Sequence, residues 1–215
     1  MTRKLKEYPS VTLKPKDLCG EIDFNQVFGR SCPLHIEVGT GKATFLLSQA
    51  ITHPDINFLG IERANKYYRY AVDRIGRWSV TNVRIIRTDA AAFLAPAASC
   101  EARAGVPANS VDCFHIYFPD PWPKRRHHKR RFFCPVNLEN LIRCLKTGGV
   151  LRIATDHAEY FEQIKRLIAE QSGRLEQIEF LPAAGVEPGE LTGTNYERKY
   201  IKDKRRIYTF AVRKK

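Results

Sequence analysis

Long hydrophobic runs and closely paired cysteines are absent from this sequence. A membrane-spanning helix needs roughly 18 or more consecutive apolar residues, and no segment approaches that length. The first residues, Met1–Pro9, are charged and lack the apolar core of a secretion signal. The six cysteines form no C-x-x-C pair, so a zinc site has little support. We therefore predict a cytoplasmic protein that binds neither a membrane nor a metal.

Acidic residues are scarce relative to basic ones. The chain has 36 Lys and Arg against 23 Asp and Glu, which gives a formal net charge of +13. Such an excess favours a polyanionic partner such as RNA, DNA or an anionic membrane surface, although a basic protein can also be merely soluble. The 215 residues, 43% of them hydrophobic, suffice for one packed domain. We assign that domain to residues 33–215 and interpret residues 1–32 as an irregular basic extension.

Strand and helix patterns alternate from residue 34 onward. Seven short runs have the composition of strands, at residues 34–38, 57–62, 82–89, 111–118, 150–155, 174–180 and 206–212. Segments with helical spacing separate the early runs, which are mostly apolar on both faces. This pattern predicts an α/β fold of the Rossmann-like type, with a mostly parallel seven-stranded sheet and helices on both faces. Ligands bind such sheets beyond the carboxyl ends of the strands, where this sequence repeatedly places a carboxylate.

The turn after the first predicted strand has the sequence EVGTGKA, residues 37–43. Gly39 and Gly41 permit a tight turn and let a ligand approach the backbone. A phosphate-binding P-loop does not fit, because Ala43 occupies its hydroxyl position. A dinucleotide fingerprint fits poorly, because it needs a small residue at Thr44. The turn resembles motif I of the Rossmann-like methyltransferases, and a plain glycine turn before a helix is the alternative.

Acidic residues end the next two predicted strands. Glu62 could accept both ribose hydroxyls of an adenosine, and Asp89 could accept the amino group of an adenine. The alternatives are a solvated strand end for Glu62 and, for Asp89, an N-cap of the helix that starts at Ala90. Glu37 suits the cationic end of S-adenosylmethionine, because a sulfonium nucleoside tolerates acids better than a pyrophosphate does.

The most unusual stretch is HIYFPDPWPKRRHHKRR, residues 115–131. Each of its three prolines biases the preceding residue toward extended geometry, so we expect Phe118, Asp120 and Trp122 to be extended and stiff. A rigid loop pre-organises Asp120 for binding. The cations that follow, through Arg131, can contact phosphates, and a solvated face or a localisation tract is the alternative.

Six segments together resemble the tRNA (guanine-N7)-methyltransferase family. In the order of the family they are EVGTGKA (37–43), FLGIER (58–63), TDAAAFL (88–94), FPDPWPKRRHHKRR (118–131), LRIATDHAEY (151–160) and TGTNYE (192–197). The resemblance extends over nearly the whole of the predicted domain. Ala43 departs from the family, which usually has glycine at that position, and the basic extension could not be aligned.

The resemblance implies S-adenosylmethionine as the cofactor and methylation of guanine N7 in tRNA, at position 46 of the variable loop. It implies cofactor binding by Glu37, Gly39, Gly41, Glu62, Asp89 and Asp120. It implies substrate contacts from Lys124, Asp156, Thr194, Asn195, Tyr196 and Glu197. From the charge pattern, phosphate contacts are expected from Arg125, Arg126, Lys129 and Arg130.

Guanine N7 carries an in-plane lone pair, so its methylation requires no general base. Asp120 is the expected catalytic residue. With Glu197, and with support from Asp156, it would accept hydrogen bonds from the guanine edge and stabilise the positive charge that develops. Local alternatives are a capping box formed by Thr194 and Glu197, and a capping role for Asp156 at the helix that begins at His157.

Three other functions remain open at this stage. An NAD-type oxidoreductase would share the parallel sheet and the glycine turn. A non-catalytic RNA-binding protein that retains the methyltransferase fold would bind RNA without the cofactor. A methyltransferase of the same fold could act on another RNA or on a protein glutamine. The preferred partner is tRNA, and we expect a monomer or a homodimer.

Overall fold

The computed structural model describes residues 4–97 and 104–215, and the chain divides into two compact units, Met1–Pro107 and Ala108–Lys215. Within the described ranges, each unit contains four strands. The prediction of a single domain over residues 33–215 stays a prediction. None of the helices within the described ranges has the length and apolar character needed to traverse a bilayer.

The first unit is a parallel sheet with short helices. Its strands are β1 (Thr12–Leu13), β2 (Leu34–Val38), β3 (Asn57–Glu62) and β4 (Val83–Arg87). Its helices are α1 (Phe24–Phe28), α2 (Thr44–Thr52), α3 (Asn65–Arg77) and α4 (Ala90–Leu94), with a 3-10 turn at Pro15–Asp17. The strands lie in the order β1-β4-β3-β2, and all three pairs are parallel. The parallel pairing predicted for the early strands is therefore confirmed within this unit.

Close packing of α2 on β3 fixes the position of the turn that precedes α2. Every residue of β3 is buried. A Cβ at Gly60 would lie 2.5 Å from Leu46 Cδ1 and 2.8 Å from Ile85 Cδ1, so only glycine lets the helix approach this closely. Because packed interiors accommodate extra volume poorly, a larger residue at position 60 would force the side chains of Leu46 and Ile85 to shift.

The prediction that residues 1–32 form an irregular extension is wrong for the described part of that segment. The segment contains β1 and α1, and its side chains Val11, Ile22 and Phe28 are buried. Residues 1–3 lie outside the described residues. A two-residue strand and a five-residue helix are too short to leave a periodic pattern in the sequence. With β1, the part of the chain that the structure describes has eight strands in place of the predicted seven.

The second unit combines parallel and antiparallel pairing. Its strands are β5 (Val111–Tyr117), β6 (Leu145–Thr155), β7 (Leu175–Ile178) and β8 (Tyr208–Lys214). Its helices are α5 (Pro135–Cys144), α6 (Ala158–Ala169) and α7 (Asn195–Lys202), with a 3-10 helix at Arg125–Arg130. β5 pairs in parallel with β6, whereas β8 pairs antiparallel with both β6 and β7. The segments that follow β5, precede α6 and surround α7 carry the remaining predicted site residues.

Candidate active site

The turn between β2 and α2 leaves part of its backbone open. Gly39 and Gly41 have φ angles of 79° and 55°, and among the described residues an added Cβ at either position would meet no atom within 4 Å. A ligand can therefore approach the chain closely here. Ala43, at the N-cap position of α2, also has a left-handed φ, 54°. That conformation costs a residue with a Cβ roughly 1 kcal/mol or more and costs glycine nothing.

Glu62, at the end of β3, ties this turn to its own strand. One carboxylate oxygen accepts a hydrogen bond from the backbone N–H of Gly41 and the other accepts one from Ala64, both at 2.8 Å. A carboxylate has about four acceptor positions, so each oxygen retains capacity for one more donor. The arrangement is compatible with the predicted contact between Glu62 and a ribose diol.

Glu37, the second acid of the turn, lies almost entirely inside the protein, with 4% of its surface exposed. Its carboxylate accepts a hydrogen bond of 2.5 Å from the hydroxyl of Thr40. Burial raises the pKa of Glu37 to about 8; the Thr40 hydrogen bond opposes this shift, and the charge of Glu62 adds to it. Without a ligand, Glu37 therefore carries a proton at neutral pH, and a cationic ligand would favour its ionised form.

Asp89 caps α4, the structural alternative that the sequence had indicated. Its carboxylate accepts hydrogen bonds from the backbone N–H groups of Ala91 and Ala92 at 3.0 and 3.3 Å. Arg63 lies 3.4 Å from its other oxygen, in a pair that is largely exposed to solvent. The predicted contact between Asp89 and adenine stays a prediction.

Residues 118–123 form a proline-rich loop directly after β5, and Asp120 is exposed on it. The prediction that Phe118 and Trp122 are extended is wrong, because their φ angles are 53° and 42°. Tertiary contacts override the local preference imposed by the following prolines. The backbone N–H of Phe118 donates to the carbonyl of Ala154 at 2.7 Å. The half-buried ring of Trp122 packs against its own segment, with its centroid 5.7 Å from that of His127 in an edge-on arrangement.

Arg131, which the sequence grouped with the phosphate-binding cations, is buried. Its Nε donates to the carbonyl of Pro121 at 2.8 Å, and its guanidinium forms a bidentate pair with Glu159 at 2.6 and 3.0 Å. It also donates to the side chain of Gln163. The expectation of a phosphate contact is therefore wrong for this residue. Arg131 instead fastens the proline-rich loop to α6, a role that sequence analysis missed.

The other cations of the segment are available to a partner. Lys124 and the four predicted phosphate contacts are exposed: Arg125, Arg126, Lys129 and Arg130. Within the described ranges, no carboxylate forms an ion pair with these side chains. The guanidinium of Arg130 lies 5.0 Å from the ring centroid of Trp122, which is compatible with a cation–π contact. This stretch presents uncompensated positive charge next to Asp120 in the sequence.

Asp156 does not cap α6, so that alternative is wrong. The N-cap is His157, whose Nδ1 accepts a hydrogen bond of 3.2 Å from the backbone N–H of Tyr160. Asp156 instead accepts a hydrogen bond of 2.9 Å from Arg205, and only 14% of its side chain is exposed. Its predicted substrate contact stays a prediction, with one carboxylate oxygen already engaged.

The loop before α7 is built around the carboxylate of Glu197. The hydroxyl of Thr194 caps α7 by accepting from the backbone N–H of Glu197 at 3.1 Å, as the capping alternative for Thr194 proposes. The predicted substrate contact of Thr194 stays a prediction. The Glu197 carboxylate accepts backbone N–H bonds from Leu191 at 2.6 Å, Thr192 at 2.8 Å and Gly193 at 2.6 Å. The side chain has no exposed surface. The prediction that this carboxylate contacts guanine directly is therefore corrected, because its role is to shape the loop.

Replacing Glu197 with glutamine is expected to loosen this loop. A carboxamide has one acceptor oxygen in place of two, so at least one of the backbone N–H groups loses its partner. We expect amide hydrogen exchange at residues 191–193 to accelerate about tenfold or more. Exchange measured residue by residue tests this. Glu187→Gln, an exposed substitution in the same loop, is the matched control, and equal protection in both variants would contradict the assignment.

An aromatic group lies beside this loop. Tyr196 is 50% exposed, and its ring centroid lies 6.3 Å from that of Phe118 and 6.1 Å from that of Tyr200. Arg205 lies over Tyr200 at 4.9 Å. Asn195 is likewise exposed at the start of α7. Because Phe118 lies far from Tyr196 and Tyr200 in the chain, the association of the three rings left no signal in the sequence, whereas Tyr196 was predicted from the TGTNYE segment.

Comparisons with known proteins identify relatives over most of the chain. The family model described as "Putative methyltransferase" matches residues 31–210. The tRNA (guanine-N(7)-)-methyltransferase of Rhodopirellula baltica is 39% identical over 156 residues, covering 73% of this chain and 56% of that protein. The protein of the same name from Alkalilimnicola ehrlichii is 31% identical over 212 residues, covering 97% and 84%. The matched region spans only about half the length of several such relatives. It covers 50% of the protein of the same name from Nocardia farcinica.

Solved structures share the fold. The 30S ribosomal A1408 methyltransferase from an uncultured bacterium superimposes with a TM-score of 0.58 at 16% identity, covering 92% of this chain and 98% of that one. An antibiotic related methyltransferase gives a TM-score of 0.57 at 18% identity, covering 89% and 92%. The predicted Rossmann-like class is therefore confirmed. Taken with the family model and the curated relatives, these matches place the chain in the tRNA (guanine-N(7)-)-methyltransferase family.

Proposed function

We propose that this protein transfers the methyl group of S-adenosylmethionine to N7 of a guanine in tRNA, at position 46 of the variable loop. Family membership supports the reaction. The observation that carries the proposal is the open glycine backbone of Gly39 and Gly41, bordered by the carboxyl groups of Glu37 and Glu62. That combination suits a nucleoside with a cationic end.

The residues of this turn fit the cofactor. S-adenosylmethionine, when bound, supplies a methyl group on a positively charged sulfur. Glu62 retains an acceptor position on each oxygen for a ribose diol, and Glu37 can ionise toward a cationic amino acid end. A pyrophosphate would meet these same acids with unfavourable charge, which weighs against an NAD-type oxidoreductase.

The second unit supplies groups suited to guanine and tRNA. Guanine N7 needs no deprotonation, so the protein has to position the base and stabilise developing positive charge. Asp120 is exposed on a loop that Arg131 fastens to α6, and its carboxylate can accept hydrogen bonds from the guanine edge. Asp156, oriented by Arg205, can support it. The exposed ring of Tyr196 offers a stacking surface for a base.

Methyl transfer to a defined nucleotide tests the proposed function. We would incubate the full chain with isotope-labelled S-adenosylmethionine and an unmodified tRNA transcript, and then map the labelled nucleotide. Label is expected at N7 of guanine 46. A transcript with adenine at that position is the control and should remain unlabelled. Label at another nucleotide, or in protein alone, would refute the proposal.

The exposed cations of the 3-10 helix are expected to supply phosphate contacts. A fourfold alanine variant should bind tRNA more weakly and with a flatter salt dependence. It replaces the four predicted residues Arg125, Arg126, Lys129 and Arg130. Each lost phosphate contact reduces the slope of log K against log salt by about 0.7 to 0.9. Titrations of labelled tRNA over a range of salt concentrations measure that slope.

Two arginines that are already paired with carboxylates provide the control for this prediction. Arg174 lies 2.7 Å from Glu139, and Arg213 lies 3.3 Å from Glu176. Replacing both by alanine removes positive charge from the same unit, but from positions whose charge is compensated. The salt slope of this double variant should match that of the wild type. A similar slope for the fourfold variant would show that the 3-10 helix does not contact phosphates.

A further inference from the structure

Helix α3 of the first unit exposes a group of cations and aromatic rings that the proposed reaction does not use. Lys66, Tyr67, Arg69 and Tyr70 are all exposed, and the two tyrosines expose 38% and 37% of their surface. Side chains three and four positions apart are neighbours on a helix, so these four form one patch, called here the α3 patch. The Nζ of Lys42 lies 5.3 Å from the ring centroid of Tyr70 and extends the positive surface.

Among the described residues, the ion pairs on and next to α3 join Arg63 to Asp89 and Arg77 to Asp73, and neither Lys66 nor Arg69 forms one. The one acid of α3, Asp73, is buried, accepts a hydrogen bond of 3.1 Å from the backbone N–H of Lys6 and pairs with Arg77 at 3.2 Å. Helix α6 is different, because Lys165 pairs with Glu162 at 2.8 Å on its exposed surface. The exposed surface of α6 therefore carries both signs of charge, whereas the exposed charges of α3 are all positive.

We propose that the α3 patch binds a single-stranded or loop segment of the tRNA substrate. Lys66 and Arg69 contact its phosphates, and Tyr67 stacks on a base. Single-stranded nucleic acid is bound by this combination of positive charge and exposed aromatic rings. The inference deepens the proposed function and rests on it for the identity of the RNA, while the patch belongs to the unit that carries the glycine turn.

An anionic membrane surface would match the charge but not the rest of the helix. A helix that lies in a membrane interface presents a broad apolar face to the lipid. In α3 the apolar side chains Ala71, Val72 and Ile75 are buried in the core of the first unit. The exposed rings are tyrosines, whose faces suit stacking on bases. RNA is therefore the occupant that the patch fits.

Charge reversal tests the cations of the patch. In the full chain, the double variant Lys66→Glu, Arg69→Glu is compared with Lys165→Glu, Arg166→Glu, which makes the same charge change on α6. Titration with unmodified tRNA should show affinity reduced about tenfold or more for the α3 variant, and a salt slope shallower by roughly 1.4 to 1.8. The α6 variant should stay within about twofold of the wild type. Equal affinities and slopes for the two variants would overturn the proposal.

A second variant tests stacking independently of charge. Tyr67→Ala should weaken tRNA binding about fivefold or more and leave the salt slope unchanged, because a stacked ring neutralises no phosphate. Unchanged affinity would overturn the stacking assignment. Vesicles containing phosphatidylserine provide the competing ligand. If the charge-reversed α3 variant loses vesicle binding but keeps the tRNA affinity of the wild type, the patch is a membrane surface and the inference is wrong.

The wild-type protein separates failure of this inference from failure of the proposed function. Tight tRNA binding that depends on the α3 patch, without methyl transfer, would refute the proposed function and leave the inference standing. Methyl transfer at guanine 46 with no effect of the α3 variants on tRNA affinity would refute the inference alone. Absence of tRNA binding by the wild type would overturn both.

Discussion

Replacing Asp120 with asparagine is expected to lower kcat for methyl transfer roughly 10²- to 10³-fold, the usual effect of losing one electrostatic group in a site. The amide keeps the size of the side chain but loses the negative charge that stabilises the purine during transfer. The Kd for tRNA should change less than about threefold, because phosphate contacts supply most of the affinity. Single-turnover rates at saturating tRNA, with Kd measured separately, test this expectation.

Asp55→Asn is the matched control, since Asp55 is an exposed acid in the turn between α2 and β3. It should leave both kcat and tRNA affinity unchanged. Equal losses of rate and affinity in Asp120→Asn would show that Asp120 holds the RNA and does not act in the chemical step. A rate that stays at the wild-type level would remove it from the reaction altogether.

Replacing Glu37 with glutamine is expected to stabilise the ligand-free protein at high pH and to weaken cofactor binding. The pKa of Glu37 rises from 4.5 to about 8 on folding, chiefly because the group is buried. The folded state thus holds a proton that the unfolded state releases between these values. Wild-type stability is therefore full below about pH 4.5 and falls as pH rises through about 8, with a total effect of a few kcal/mol. Glutamine does not ionise, so the variant does not lose this stability as pH rises.

Calorimetric melting curves check the sign of the Glu37 effect. At about pH 9 the glutamine variant should melt about 5 °C or more above the wild type, and at about pH 4 the two should agree. Glu7→Gln, at an exposed position of the same unit, should show no such difference. Binding of S-adenosylmethionine to the wild type should release a proton near neutral pH, and the variant should release none. Parallel pH profiles for wild type and Glu37→Gln would refute this account.

Periodic apolar patterns predicted the central elements well. β2 and β3 have the bounds expected from the sequence, because each is a short apolar run that ends in a charged or glycine-containing turn. Helical spacing over residues 64–78 predicts a helix that is one residue longer at each end than α3. The carboxylates at strand ends could be predicted from the same apolar runs, because the end of a strand fixes where its last side chain lies.

The hydrogen-bond partners of loop residues could not be predicted in the same way. Thr194 and Glu197 have the spacing of a capping box, yet only Thr194 caps, because the carboxylate of Glu197 instead accepts from three backbone N–H groups of its own loop. That choice depends on the φ and ψ angles of the loop, which the spacing does not encode. The same holds for Phe118 and Trp122, whose left-handed conformations depend on tertiary contacts.

Because Arg131 is buried, substitutions of this arginine and of its partners depend on one another. A basic motif read from the sequence alone would suggest that they are independent. Because its guanidinium is shared by Glu159, Gln163 and the carbonyl of Pro121, replacement of Glu159 alone would leave a buried cation without its counterion. Homologues that lose this arginine should therefore also have altered residues at the two helix positions. Conversely, protein engineers who tune RNA affinity through this segment can vary its exposed cations but need to keep its final arginine.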